Sequence, residues 1–309
     1  MTVPTIGPSA YGDAVSESLL STHEMATFAA RGFLEFPAVI PADVNEAAVD
    51  ECERILATWG SPGRPYAPTS GQPVDEIYPA PSALGAMLRH PSVTRIIDSL
   101  VGHAAVFDHD FVHLRPPADP MFQSLHADAV IDPTPAAFDI QIFYFPHEVA
   151  ADGGGTGFVP GTHLRRVHET QVGRYRHLRG ERQWAGPAGS VLVFHHGLWH
   201  RGMANPGPVR RLMYKIRLNP TRPQVRLWDT SDLDELQSPP SDHVFATFDP
   251  AKTAMTLRHR EAWMGEPDHR LELMARTRLW RYLTGDESFD IDWYHTRIDG
   301  RAELAGGRS

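Results

Sequence analysis

The 309-residue chain carries 38 acidic and 29 basic side chains, a formal charge of −9, which lacks the broad basic footprint that nucleic acid or an anionic membrane would need. Hydrophobic residues make up 41% of it, enough for a sizeable core, yet no run approaches a transmembrane helix. The single cysteine, Cys52, excludes an intrachain disulfide, and the first twenty residues lack the pattern of a secretory signal, so a cytoplasmic setting is expected.

Residues 1–20 read as a loose arm containing Pro, Gly and Ser, with a single domain expected over 21–309. Ser21-Thr22-His23-Glu24 has capping-box spacing, MATFAARGFL carries a helical apolar face, and Gly32 sits where that helix should stop. FLEFPAVI then alternates as a short strand. A second helix is predicted from about Ala42 to Trp59, with Cys52 as a small buried residue on its apolar face. Residues 60–82 predict a loop, and His90-Pro91 opens a third helix ending at Gly102. From residue 104 the apolar period changes to two. AAVFDHDFVHLR, SLHADAV, AFDIQIFYF, TGFVP, SVLVFHH and RLMYKIRL are the predicted strands. Short consecutive strands without intervening helices predict an all-β barrel or sandwich over about 104–225. Beyond about 226 the pattern turns helical again, in KTAMTLRHREAWM and HRLELMARTRLWRYL, an extension running to 309.

Among 17 histidines, about one His-x-Asp is expected by chance, so His126 and Asp128 in SLHADAV mean little alone. On a strand, residues i and i+2 share a face, so the two can converge on one point. A third ligand must come from elsewhere, and FHHGLWHRG offers His195, His196 and His200. Two histidines and a carboxylate leave coordination positions open, which suits non-haem Fe(II) oxygenases, although zinc hydrolases use similar sets. Arg210 and Arg211 follow on the next strand, and a buried arginine beside a metal can clamp a carboxylate bidentately. Neighbours on a strand alternate, so one arginine of the pair should face inward.

From about residue 20 to 222, these segments resemble in order the phytanoyl-CoA dioxygenase family of Fe(II)/2-oxoglutarate-dependent oxygenases. ATFAARGFLEFPAVIPAD is similar to the family's opening helix and strand, and HPSVTRIIDSLVG to the helix before its barrel. HLRPP precedes the His-x-Asp, and DGGGTGFVPGTH resembles the glycine turn, strand and Pro-Gly-Ser/Thr-His signature at Pro160, Gly161, Thr162 and His163. FHHGLWHRGMANPGPVRR resembles the segment bearing the distal histidine, an asparagine (here Asn205) and the 2-oxoglutarate arginine. The resemblance implies a mainly β fold with flanking helices, a double-stranded β-helix (jelly-roll, cupin-like) barrel. It implies Fe(II) held by His126, Asp128 and His200, with 2-oxoglutarate as cosubstrate. Arg211 would grip the cosubstrate's far carboxylate, with Arg210 as the fallback if the register shifts. An aromatic near the cosubstrate falls at Phe143, with Gln141 on the same face. The implied reaction consumes O2, releases succinate and CO2, and hydroxylates an unactivated C–H bond of a small molecule such as a natural-product intermediate. Desaturation, epimerisation or ring formation are the alternatives within the same chemistry. Asp128 disfavours halogenation, because related halogenases carry a small residue there.

The sequence also departs from the family. Gly202 stands where better-known members have a serine that helps hold the cosubstrate, the glycine turn reads Asp152-Gly153-Gly154-Gly155, and no basic cluster fits a CoA tail. His163 is expected to be structural. His109 and His113 are expected to be solvated or to cap the core, with the substrate side of the pocket as the alternative. The C-terminal extension reads as a lid or an oligomer contact. Two rivals of another class remain: a zinc-dependent hydrolase and a non-catalytic jelly-roll binding protein. Neither would respond to 2-oxoglutarate.

Overall fold

The Glu24 backbone N–H donates to Ser21 Oγ, and the Ser21 N–H donates back to the Glu24 carboxylate at 2.8 Å, so a complete capping box starts α1 (Thr22–Arg31). Ser21→Ala is expected to cost about 1 kcal/mol, read as a lowered denaturation midpoint; an unchanged midpoint would mean the box adds nothing. Gly32 ends the helix at φ 77°, where a side chain would also strike the His163 ring at 2.5 Å. The computed structural model describes residues 19–58, 70–128, 138–165, 169–237 and 249–291. The arm expected over 1–20 therefore falls, up to residue 18, outside the described residues.

After α1 come β1 (Phe33–Phe36), α2 (Ala42–Ala57), the short α3 (Val74–Ile77) and α4 (Ala83–Leu88), and α5 (Pro91–Val101). Strands follow: β2 (Val106–Arg115), β3 (Ile140–Phe145) and β4 (Thr156–Phe158), then a helical turn α6 (Glu169–Val172). Next are β5 (Arg182–Gln183), β6 (Ser190–His195), β7 (His200–Gly202) and β8 (Arg211–Asn219), and finally α7 (Leu233–Gln237), α8 (Thr253–Leu257) and α9 (Glu266–Thr284). The strands make two antiparallel sheets, one ordered β1-β6-β3-β8-β2 and the other β5-β4-β7.

Period-two alternation sorts the large sheet's side chains between two cores. Ile140, Ile142 and Tyr144 of β3, with Leu212, Tyr214, Ile216 and Leu218 of β8, join the cluster shared with the helices. Phe143, Phe145, Phe194 and Met213 point the other way and pack with Phe158 of the small sheet and Trp184 beside it. Both faces are covered, so β3 and β6 are buried at every residue instead of alternating with solvent. This is the jelly-roll architecture expected, with helices on the outer face of the larger sheet. Cys52 lies buried in the helical layer, where burial, with Glu51 and Asp110 nearby, pushes its thiol up to about 12; it is a packing residue, not a nucleophile. Among the described residues no helix is long and apolar enough to cross a membrane.

Four expectations change. Of the loop expected over 60–82, residues 60–69 lie outside the described residues, and Val74–Ile77 forms the one-turn helix α3. SLHADAV forms no strand in its described part; His126 makes one antiparallel bridge to His200, with N···O distances of 3.0 and 2.8 Å. The helix expected through KTAMTLRHREAWM stops at Leu257, because the Arg276 guanidinium takes the Leu257 and His259 carbonyls at 2.9 and 2.6 Å. The C-terminal helices are not a lid in their described part. Leu257, Leu273, Leu279, Trp280 and Leu283 enter the same core as Met25 and Phe28 of α1, so the extension completes the helical layer.

Candidate metal and cosubstrate site

The bridge between His126 and His200 sets two imidazoles side by side, with ring centroids 4.6 Å apart. Each ring is oriented by its own backbone: His126 Nδ1 donates to Ser124 O and His200 Nδ1 to Leu198 O, both at 2.9 Å. That tautomer leaves both Nε2 lone pairs free. Both nitrogens look toward Asp128, with His126 Nε2 3.4 Å from Oδ1 and His200 Nε2 3.8 Å from Oδ2. Ligand atoms of the three residues all lie within 4.8 Å of one another, so His126, Asp128 and His200 can hold one metal ion. Ala127, between them, packs away against the cluster of Leu125, Val159 and Trp199.

Electrostatics favour the forms a metal needs at Asp128 and His200. Burial opposes charge on Asp128, but His200, His126 and Lys215 outweigh it and hold its carboxyl well below the usual carboxylate range. Burial pushes His200 down to about 4 against the pull of Asp128, so its imidazole is neutral at pH 7. His126 moves the other way: burial is outweighed by the Asp128 carboxylate beside Nε2 and by the Ser124 carbonyl, which raise it and stabilise a positive ring at the position a metal cation would take.

A cavity of about 260 Å³ opens on this cluster, walled by Phe111, His113, Arg115, His126, Phe143, Thr156, His200, Arg211 and Lys215, among others. Arg211 is 2% exposed, and its Nε and Nη1 have no partner among the described residues. Arg210, one residue away, is exposed on the other face and pairs with Glu53. Strand alternation thus turns Arg211 inward, as the first of the two sequence alternatives had it. Thr156 Oγ1 is a second orphaned polar atom in the wall. A buried guanidinium edge and a hydroxyl without partners are a receptor for a polar ligand, not a finished core.

Phe143 lines the cavity, 5.5 Å from the His200 ring. Gln141 shares its face of β3 and is fully buried, but it stands outside the cavity wall with both amide atoms unpartnered. Asn205 braces the turn before β8, donating to Pro116 O and Val209 O at 2.8 Å each. His113 lines the cavity, neutral because burial and the nearby Lys215 and Arg211 push it down to about 3, whereas His109 pairs with Asp108 outside the wall. For His113 the substrate-side alternative therefore fits better than solvation or core capping.

Sequence reasoning missed five polar residues of the wall: Arg115, Gln123, Thr156, Arg201 and Lys215. Lys215 follows Arg211 by four positions on β8 and shares its face; its Nζ contacts the Asp128 carboxylate. Arg115 is the register partner of Arg211 on β2. Thr156 begins β4. The same alternation that placed Arg211 would have found Lys215. Gly202 is explained by its neighbours: a Cβ there would meet the Arg115 guanidinium and the Gln123 amide at 3.0 Å each, so these groups occupy the space a serine side chain would enter.

His163, His195 and His196 are not at the cluster. His163 Nε2 donates to Ala29 O at 3.1 Å, tying the Pro160–Thr162 turn to α1. His195 Nδ1 accepts from Gly197 N at 3.0 Å while the ring stacks on Phe138 at 5.2 Å, and His196 Nδ1 accepts from Asp139 N at 2.9 Å. Burial depresses His163 to about 3 and His195 well below its ordinary value. Both are neutral when folded and protonate on unfolding near pH 6.5, so their full stability is present above that pH and falls as pH drops toward the folded values. The slope is about 1.4 kcal/mol per pH unit for each histidine. Moving from about pH 7 to about pH 5.5 is expected to cost roughly 2–3 kcal/mol of unfolding free energy in chemical denaturation. A flat profile over that range would contradict buried neutral histidines.

Residues 28–213 match the family model described as phytanoyl-CoA dioxygenase (PhyH). No curated protein matches the sequence. Among solved structures, the chain is similar to the apo form of EctD from S. alaskensis (19% identity, TM-score 0.52), over 71% of this chain and 83% of that one. It is similar to SnoK, a non-haem α-ketoglutarate-dependent carbocyclase from nogalamycin biosynthesis, at 18% identity and TM-score 0.51, over 74% of this chain and 95% of that one. A nickel complex of the non-haem monooxygenase ThoJ aligns at 18% identity and TM-score 0.51, over 66% of this chain and 80% of that one. At such identities the shared property is the fold.

Proposed function

The chain belongs to the phytanoyl-CoA dioxygenase family of non-haem iron, 2-oxoglutarate-dependent oxygenases, and on that premise we propose that it oxidises a C–H bond of a small molecule at the cluster of His126, Asp128 and His200. These three residues are the iron ligands, and Arg211 binds the far carboxylate of 2-oxoglutarate. The observation that carries the reading is the buried Arg211 fork, whose Nε and Nη1 lack partners in the wall that also holds His126 and His200. A zinc hydrolase would have no use for an unpaired guanidinium there, and a binding protein no use for two histidines fixed with Nε2 toward a carboxylate.

Bound iron would supply O2 activation, coupling decarboxylation of 2-oxoglutarate to succinate and CO2 with oxidation of the substrate. The chain supplies geometry. Ser124 O and Leu198 O keep the imidazoles aimed at Asp128, and removing such support from a metal ligand typically costs about 10–100-fold in affinity or activity. Arg115, seated where a serine at position 202 would reach, is a second donor for the cosubstrate carboxylate, with Gln123 beside it. Thr156 Oγ1 is a third polar contact, and Phe143 shields the His200 side. Hydroxylation is the outcome proposed, with desaturation, epimerisation or ring closure reachable from the same attack on a C–H bond. The carboxylate of Asp128 leaves no ligand position for halide in its place.

The test is conversion of 2-oxoglutarate to succinate by the purified enzyme without added substrate. Slow turnover that requires Fe(II) and O2 is expected. Turnover of any substrate sustained by Zn(II), or indifference to 2-oxoglutarate, would overturn the reading.

A further inference from the structure

We propose that Lys215 anchors an anionic group of the primary substrate, so that this enzyme acts on a small organic anion with a carboxylate as its recognition handle. The inference rests on the iron and 2-oxoglutarate reading of the same cavity. Lys215 lies on β8 opposite Phe111 of β2 and Phe143 of β3, its side chain 11% exposed, with Nζ 6.0 Å from the Phe143 ring centroid. Its one hydrogen-bond partner among the described residues is the Asp128 carboxylate. An ammonium has three donors, so Asp128 does not exhaust it.

Charge balance decides what the remaining donors face. Among the described residues four cations line the cavity: Arg115, Arg201, Arg211 and Lys215. Arg115 is paired with Asp119 at 3.3 Å and Arg201 with Glu181 at 2.7 Å, so both are balanced. A metal-ligating imidazole is neutral, so His126 and His200 add no charge to the loaded cavity, and His113 is buried beside Lys215 and Arg211, which keeps it neutral. Asp128, Arg211 and Lys215 remain. Loading Fe(II) and the 2-oxoglutarate dianion adds two positive and two negative charges, which cancel. Among the described residues the loaded cavity therefore keeps one surplus positive charge: minus one from Asp128, plus one each from Arg211 and Lys215. Arg211 is matched by the cosubstrate's far carboxylate, and Asp128 is committed to the metal. The surplus sits on Lys215. A charge this buried is strongly unfavourable without a counter-charge, and the missing partner is one negative charge brought by the substrate.

Position adds to the charge argument. Phe111, His113 and Phe143 line the same cavity as Lys215, whose Nζ meets Asp128, so an anion held there leaves the rest of the molecule beside the metal-binding cluster.

The test uses the anaerobic Fe(II)–2-oxoglutarate complex of the whole chain and matched probes: phenylacetate against phenylacetamide, and octanoate against octanamide. Binding is read as perturbation of the visible charge-transfer band that iron and 2-oxoglutarate form together. The acid of at least one pair is expected to bind about tenfold or more tightly than its amide. Lys215→Met should bring that ratio to about one, and Lys215→Arg should preserve an acid preference. The ratio is taken within one protein, so any change in metal affinity cancels from it. Equal binding of acid and amide, no acid binding, or a preference that survives Lys215→Met would overturn the inference. Absence of the band before any probe is added would instead sink the iron and 2-oxoglutarate reading, and this inference with it.

Discussion

His200→Ala is expected to lower 2-oxoglutarate turnover more than about a hundredfold, with Fe(II) binding lost in parallel. Losing the hydrogen-bond partner that orients a metal ligand already costs about 10–100-fold, so losing the ligand itself should exceed that range. The imidazole is 5% exposed, reached from the cavity, and its one hydrogen bond among the described residues is to the carbonyl of Leu198. The backbone bridge to His126 does not involve the ring, so the fold should survive the substitution. Iron content, succinate yield and circular dichroism of the variant check all three statements. Full iron occupancy with retained turnover would remove His200 from the ligand set.

Arg211→Ala is expected to weaken 2-oxoglutarate binding by roughly thirtyfold or more, since truncating one partner of a buried charge pair costs about 2 kcal/mol at least. Burial and the neighbouring Arg115 lower Arg211 to about 10, which leaves it charged at pH 7. Arg211→Lys should recover only part of the loss, because an ammonium cannot reproduce the bidentate fork. Arg210→Ala is the internal control: its partner Glu53 is at the surface, and such pairs contribute about 0–1 kcal/mol to stability and nothing to the cavity. Cosubstrate affinities of the three variants, measured by titration, decide between the two arginines.

Much of this was legible in the sequence, for identifiable reasons. Local rules reached α1, whose capping box and Gly32 stop depend on nearest neighbours. Alternation reached β3 and β8, because a strand buried on both faces still divides its side chains between two sides. The cluster itself needed residues 72 apart to meet, and only the family resemblance chose His200 over His195 and His196. What escaped depends on contacts no local pattern encodes. Alternation puts Gln141 on the face of Phe143 but gives no depth, and it ends outside the cavity wall. The helical period of α9 cannot say which layer receives it. Arg276, nineteen positions beyond Leu257, ends α8 from a distance. Lys215 was within reach of alternation, but an isolated lysine on a strand carries no sign of the carboxylate it meets.

The central claim is that one cavity holds iron on His126, Asp128 and His200 and 2-oxoglutarate on Arg211. Anaerobic titration of 2-oxoglutarate into the Fe(II)-loaded protein, followed by visible absorption, tests it most directly. The prediction is a saturable charge-transfer band that is absent in His200→Ala, needs far more 2-oxoglutarate in Arg211→Ala and is unchanged in Arg210→Ala. A wild-type protein that binds Fe(II) but develops no band, or an Arg211→Ala variant that titrates like wild type, would contradict it.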